Sequence, residues 1–205
     1  MTDSTITAAI SAIRAGTGVV VVDDENRENE GDVIFAAATV TEAQVAFMMS
    51  ECRGLICAAM ANELVEKLGL RMMAPDNEDP LRTAFTISVD ARDGVTTGIS
   101  ATDRARTARL LADPDSTLRD FVSPGHLFPL RADPGGVRSR RGHTEAAVDL
   151  ATLAGLPQVG VICEIAGADG RMLRGAELNT FAKTHNMPII SIGDLVGDLE
   201  SPVYP

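Results

Sequence analysis

Apolar and polar residues follow one another in short blocks along this chain, and the blocks predict alternating helices and strands. Ile6, Ala9, Ile10 and Ile13 fall on one side of a helix running from Thr2 to Arg14, with Ser4 or Thr5 as its cap and Gly16 and Gly18 at its end. The β-branched run at 18–22 reads as a buried strand, and 33–37 as a second. A helix over Thr41–Met49, a strand over 54–60 and a short helix over Asn62–Leu68, stopped by Gly69, follow. Residues 71–82, with two prolines and several acids, read as loop. Alternation in 83–89 predicts a strand, and Thr102 caps a helix reaching Leu111. Then come a strand over 126–131, a helix over 144–154, a buried strand over 159–165, a helix over 175–185, a last strand over 188–192 and a loose tail from 201. With no repeat and no linker, this predicts one mixed α/β (α+β) domain over 1–205, a mixed β-sheet core flanked by helices.

The pattern breaks most sharply between the first two strands. Asp23-Asp24-Glu25-Asn26-Arg27-Glu28-Asn29-Glu30-Gly31-Asp32 packs six carboxylates into a loop held between core strands. Acids clamped this way repel one another unless something positive sits among them: a metal ion, a basic side chain or a proton. A calcium loop of the EF-hand kind fails, because the twelfth position from Asn26 is Ala37, where a bidentate Glu is needed. A magnesium or manganese site fits better, since such ions take one or two carboxylates plus substrate oxygens. Arg27 suits a phosphate or an acid as partner.

Composition narrows the classes. The chain carries a net charge of -11, so a nonspecific nucleic-acid binder is disfavoured. No apolar run approaches the roughly 18 residues of a membrane span, and the start lacks a signal peptide's pattern. Three cysteines without a CxxC pair argue against disulfides and structural zinc, making a cytoplasmic location the expectation.

One basic patch stands out against the acidity: Arg138-Ser139-Arg140-Arg141-Gly142-His143-Thr144-Glu145 leads into the helix at 144. A helix N-terminus with a preceding glycine and an arginine that can fork onto an anion describes a phosphate site. His143 in this segment can pair with a carboxylate as a Mg²⁺ or Mn²⁺ ligand. Three further segments hold chemistry. His126 ends the turn Ser123-Pro124-Gly125, as an acid, a base or a turn residue. Glu164 lies inside an apolar strand, where a carboxyl must face a cleft, be paired or be protonated. Residues 90–104 are rich in glycine and small hydroxyls, suited to sugar hydroxyls, phosphate or an ordinary turn.

Taken together, DDENRENEGD at 23–32, SVDARDGVTTGISATDR at 88–104, SPGHLFPLRA at 123–132, RRGHTEAAVDL at 140–150 and ICEI at 162–165 resemble the 3,4-dihydroxy-2-butanone 4-phosphate synthases of riboflavin biosynthesis. The resemblance runs from about Ile6 to Leu195 and implies conversion of D-ribulose 5-phosphate to L-3,4-dihydroxy-2-butanone 4-phosphate and formate. It implies Mg²⁺, replaceable by Mn²⁺ and with two ions per site, ligated by Glu28 and His143. It implies substrate contacts from Arg27, Glu28, Asp32, Thr97, Asp103, Thr107, Arg140, Arg141, Gly142, His143, Thr144 and Glu164. His126, Glu164 and Asp32 become the catalytic candidates, with Cys57 near the pocket by weaker analogy, and a homodimer with active sites near its interface is expected. Many relatives carry a fused GTP cyclohydrolase II domain, and a chain ending at Pro205 is expected to lack it. Two other readings remain: a metal-dependent sugar-phosphate isomerase or aldolase, which releases no formate, and a noncatalytic RNA- or nucleotide-binding module, which the charge disfavours.

Overall fold

A computed structural model describes residues 5–200 of the chain, so the cap expected at Ser4 and the tail from 201 lie outside the described residues. Seven helices and seven strands are present among those residues. The strands are β1 (Val19–Val22), β2 (Gly31–Ala36), β3 (Cys57–Met60), β4 (Val89–Ala91), β5 (Phe121–Arg131), β6 (Val159–Glu164) and β7 (Ile189–Ser191). The helices are α1 (Thr5–Arg14), α2 (Glu42–Phe47), α3 (Asn62–Leu68), α4 (Ala101–Leu111), α5 (His143–Leu153), α6 (Ala176–Thr184) and α7 (Ile192–Leu199). One mixed sheet runs in the order β4-β5-β3-β6-β2-β1-β7, parallel only at β3/β5 and β1/β7. This is the α/β architecture that the block pattern predicts.

Both faces of the sheet are covered, and strand alternation sorts the residues between them. Val20, Val33, Phe35, Val161 and Cys163 point to the side of α2, α4 and α6. Val19, Val21, Ile34, Ala36 and Ile162 point to the side of α1, α5 and α7. The central strands are buried along their length, so they read as continuous apolar runs in the sequence.

Four expectations need correction. The strand expected over 83–89 contributes only Val89 to β4; Phe85 and Thr86 make isolated bridges to Leu130 and Met72. β5 starts at Phe121, five residues ahead of the expected His126, because its first half lies toward the sheet edge and exposes its side chains. α2 does not stop at Met49 but runs into a π-turn over Met48–Cys52, closed by Arg53 at φ +64°, which delays β3 to Cys57. Finally, α7 was not anticipated; Ser191 caps it by accepting the Asp194 N–H at 3.0 Å, a local Ser-x-x-Asp signal.

Candidate active site

The acidic loop is a hairpin connection, and its first residue organises it. Val22 pairs with Gly31 at the base of the β1–β2 ladder. Asp23, just beyond, turns inward: Oδ2 accepts the Glu28 N–H at 3.0 Å and Oδ1 the Glu30 N–H at 2.9 Å. The Arg27 guanidinium donates to Asp23 Oδ2 at 2.9 Å and to Glu28 Oε2 at 2.6 Å. An aspartate at a strand end, with both oxygens free to accept, can gather the N–H groups of the polar loop that follows it. That signal would have singled out Asp23, which the sequence reading left without a role. Asp24 and Glu25 point to solvent, so the six acids divide into an inner and an outer set.

The sheet supplies the next pair. Asp32 of β2 stands directly opposite Glu164 of β6 in the antiparallel register. Both continue the strand face that carries Ile34 and Ile162, so both carboxyls emerge on the α5 side. The question of where Glu164 faces is thereby answered: its Oε2 accepts the Leu55 N–H at 2.8 Å. Gly54 has to be a glycine here, since a Cβ would lie 2.5 Å from both the Glu164 carbonyl oxygen and Oε2. The π-turn after α2 is what carries Gly54 and Leu55 to this spot.

The start of α5 closes the third side. His143 is the first helical residue, buried, with Nδ1 3.4 Å from Glu28 Oε2 and 3.7 Å from Asp32 Oδ1. Together these elements line a cavity of about 220 Å³ that also includes Arg27, Cys57 and Thr144. Its outer wall is Asp79, Leu81 and Thr83. Asp79 and Leu81 belong to the loop expected over 71–82, and Thr83 follows it directly.

Charge in the cavity is strongly perturbed. Burial pushes the Asp32 carboxyl up to about 7, against the pull of His143. For His143 burial acts to lower the value, but Asp32, Glu28 and Asp23 outweigh it and raise it to about 9. The hydrogen bond from His143, opposed by burial and joined by Arg27, lowers Glu28 to about 2. Burial raises the Cys57 thiol, which keeps it neutral. Two buried atoms here, Asp32 Oδ1 and His143 Nε2, lack any hydrogen-bond partner. Buried polar atoms without partners are rare and costly. One ligand atom each from Asp23, Glu28 and His143 lie within 4.8 Å of one another. Carboxylate oxygens and an imidazole nitrogen, with unmet acceptor capacity beside them, fit a hard divalent cation such as Mg²⁺ or Mn²⁺.

Arg140 departs from expectation. Its fork is already committed: Nη1 to Glu145 Oε2 at 2.6 Å, Nε and Nη2 to the Leu81 carbonyl at 3.3 and 3.0 Å, and Nη2 to Thr83 Oγ1 at 3.3 Å. Of five guanidinium N–H groups, one remains for an anion, so a bidentate grip on phosphate would have to displace the wall loop. Arg141 is half exposed and lies 3.7 Å from Asp24, outside the cavity. Gly142 caps α5 and leaves room for the Arg140–Glu145 pair.

A second cluster lies apart. His126, Thr97, Asp103 and Thr107 are not among the residues lining the cavity. The His126 ring meets the buried Asp90 through Nδ1 at 2.7 Å. Asp103, expected as a substrate contact, is buried and accepts from Thr96 N–H at 3.1 Å, Thr96 Oγ1 at 2.7 Å and Gly98 N–H at 3.0 Å. Thr107 is fully buried; its hydroxyl accepts the Ala91 N–H at 2.9 Å and donates to the Asp103 carbonyl at 3.0 Å. Both hold the fold around residues 90–98 and present nothing to a ligand from within.

Comparison with known proteins identifies the family. The family profile for 3,4-dihydroxy-2-butanone 4-phosphate synthase matches residues 7–197. A synthase of that name from Agrobacterium fabrum is 52% identical over 99% of this chain and 95% of its own length. A crystal structure of 3,4-dihydroxy-2-butanone 4-phosphate synthase in complex with two magnesium ions superposes with a TM-score of 0.93 at 46% identity, covering 98% of this chain and 99% of the other. A two-domain synthase from A. baumannii gives a TM-score of 0.92 at 43% identity, with 96% of this chain matched to 58% of the larger protein. The chain belongs to the 3,4-dihydroxy-2-butanone 4-phosphate synthase family.

Proposed function

We propose that this chain converts D-ribulose 5-phosphate to L-3,4-dihydroxy-2-butanone 4-phosphate and formate, a carbon–carbon lyase step in riboflavin biosynthesis. The observation that carries the reading is the opposed Asp32–Glu164 pair beside the unpartnered Asp32 Oδ1 and His143 Nε2. Glu28 and His143 are the metal ligands in this reading, and Asp23 joins them on geometry. Mg²⁺, two ions per site and replaceable by Mn²⁺, supplies Lewis-acid stabilisation of negative charge on the sugar oxygens.

The chain's own groups do the rest. Turnover begins with removal of a proton beside a carbonyl and passes through an enediol, loss of water, a skeletal shift and release of a one-carbon unit. Glu164, held through one oxygen by Leu55, keeps the other for proton transfer. Asp32, whose carboxyl burial raises to about 7 in the metal-free chain, is the second proton-transfer group in this reading. The first-turn N–H groups of α5 at His143 and Thr144, with the remaining Arg140 N–H, take the phosphate and set the substrate's register. Arg27, bound to both Asp23 and Glu28, braces the loop beside the cavity and lies where it can meet a substrate.

His126 completes the catalytic set from a second subunit. Its ring lies outside the cavity that Glu164 and His143 line, so one chain does not assemble all three. A homodimer that docks the His126 and Thr97 region of one chain over the cavity of the other resolves this. Mixing His126→Ala and Glu164→Gln subunits tests it: the heterodimer regains one intact site, restoring about a quarter of wild-type activity after random reassociation. Activity that stays at the level of the separate variants removes the shared site.

Residues 5–200 act as one folding unit in this reading, and a single calorimetric transition checks that. Among the described residues no helix is long and apolar enough to cross a membrane. Free Cys52, Cys57 and Cys163 suit a reducing compartment, so we place the enzyme in the cytoplasm, which cell fractionation tests. The decisive assay incubates the protein with D-ribulose 5-phosphate and Mg²⁺ and measures formate. One formate per substrate consumed is expected; consumption without formate means an isomerase.

A further inference from the structure

We propose that Asp90 is the positioning residue of His126, holding the imidazole in the tautomer that carries its proton on Nδ1 and leaves Nε2 bare toward the exposed side. The proposal rests on the catalytic assignment of His126 made above. Three independent features of the chain converge on this pair.

First, the contact is double. Asp90 Oδ2 lies 2.7 Å from His126 Nδ1, and Asp90 Oδ1 accepts the His126 backbone N–H at 2.9 Å. The carboxylate thus fixes both the strand position of the residue and the rotation of its ring. A carboxylate can only accept, so Nδ1 is the donor, and in the neutral ring Nε2 carries the free lone pair. Nε2 has no hydrogen-bond partner among the described residues.

Second, the pair is asymmetric in exposure. The Asp90 side chain is 7% exposed and the His126 side chain 42%. A buried acceptor behind a half-exposed ring is the arrangement of an orienting carboxylate, with the working face of the imidazole turned outward. An exposed surface ion pair would show both partners wet.

Third, the lid over the pair is built to fit. Gly98 sits at φ +91°, and a Cβ at that position would overlap the Asp90 carboxylate and lie 2.7 Å from His126 Nδ1. Asp103 pins this segment through the N–H and hydroxyl of Thr96 and the N–H of Gly98. Gly98 therefore lies over the hydrogen bond between Asp90 and His126, held there through Asp103.

The test begins with the wild-type protein. The chain holds three histidines, so long-range proton–nitrogen NMR resolves each imidazole, and a His126→Gln spectrum identifies the one in question. The expected signature for His126 is the Nδ1-protonated tautomer; the Nε2-protonated form overturns the proposal without any Asp90 variant being made. Asp90→Asn then presents an amide that does not enforce this tautomer. It is expected to lower kcat by up to about ten-thousandfold, the loss that follows when the orienting aspartate of a Ser-His-Asp triad is neutralised, while KM moves little. Asp90→Glu, which keeps the carboxylate, is expected to recover a substantial part of kcat. Wild-type kcat in Asp90→Asn, or equal losses in Asn and Glu with the tautomer unchanged, overturns the positioning role. Formate production that survives His126→Gln removes the catalytic assignment of His126 instead, while the tautomer measurement still judges the Asp90–His126 contact.

Discussion

The metal cavity and the Asp90–His126 cluster are both built around buried carboxylates, yet they are finished differently. Around Asp103, Thr107 and Asp90 the hydrogen bonds form a closed set within the chain. Around Asp32 and His143 the set is left open, with two buried atoms unpartnered and two ionisations displaced far from their usual range. The closed region holds a geometry. The open region holds unmet charge, and it has the features of a place where an ion and a substrate are meant to finish the bonding.

Removing a carboxylate from the open region should have the largest effect. Glu28→Gln is expected to abolish formate production, by more than about a thousandfold, with the fold intact by circular dichroism. Full activity of that variant at limiting Mg²⁺, or wild-type activity surviving EDTA, would end the metal role. Glu164→Gln should be nearly as severe, but in kcat alone, because Glu164 is assigned to proton transfer and not to affinity. A large loss of substrate affinity, measured by calorimetry, would move it to binding.

The pH response separates the two regions further. The folded pKa of His143 is raised above its unfolded value, so its stabilising charge is present below about 6.5 and lost as pH rises through about 9. Asp32, also raised, favours the protonated fold, and its burial becomes a penalty as pH rises from about 3.8 through about 7. Both contributions have the same sign, so the metal-free protein should lose thermal stability steadily between pH 5 and pH 9. Binding must expel the His143 proton, so apparent Mn²⁺ affinity should rise by up to about tenfold per pH unit until near pH 9. Calorimetry in buffers of different protonation enthalpy measures that release, and an affinity flat across the range contradicts it.

The smallest effect on chemistry should come from Thr107, whose hydroxyl bonds Ala91 and Asp103 and meets neither His126 nor the cavity. Thr107→Val strands the Ala91 N–H and is expected to cost about 1–3 kcal/mol of stability, leaving Mn²⁺ affinity unchanged. Denaturant titration beside a metal titration shows whether the two regions are as separate as their bonding suggests.

Much of this was legible in the chain. Valine runs and the 3.6-residue spacing of Ile6, Ile10 and Ile13 report burial directly, so most elements could be placed. His143 and Glu164 stood out because charge beside a helix start in so acidic a protein, or inside an apolar strand, needs a reason, whereas Glu28 and Asp32 were singled out of the acidic loop by the resemblance alone. What was missed depends on partners distant in sequence. Leu81 and Thr83 form a wall only because Arg140, some sixty residues on, reaches them. Asp103 and Thr107 look like sugar ligands until the loop they hold is seen. The π-turn at Met48–Cys52 has no periodic signature, yet it delivers the backbone that grips Glu164.

The facing of Asp32 and Glu164 has a further consequence. Directly opposed residues in an antiparallel ladder sit about 4.5–5.5 Å apart at Cβ, a spacing set by main-chain hydrogen bonds and indifferent to which side chains are present. The interval between the two acids is therefore inherited from the sheet, as marks are inherited from a ruler. Helices can drift and loops can be replaced while that interval stays the same. Sliding β2 past β6 by one residue would send one acid through the sheet to the other layer. The interval survives any change in the surrounding layers that leaves this single register in place.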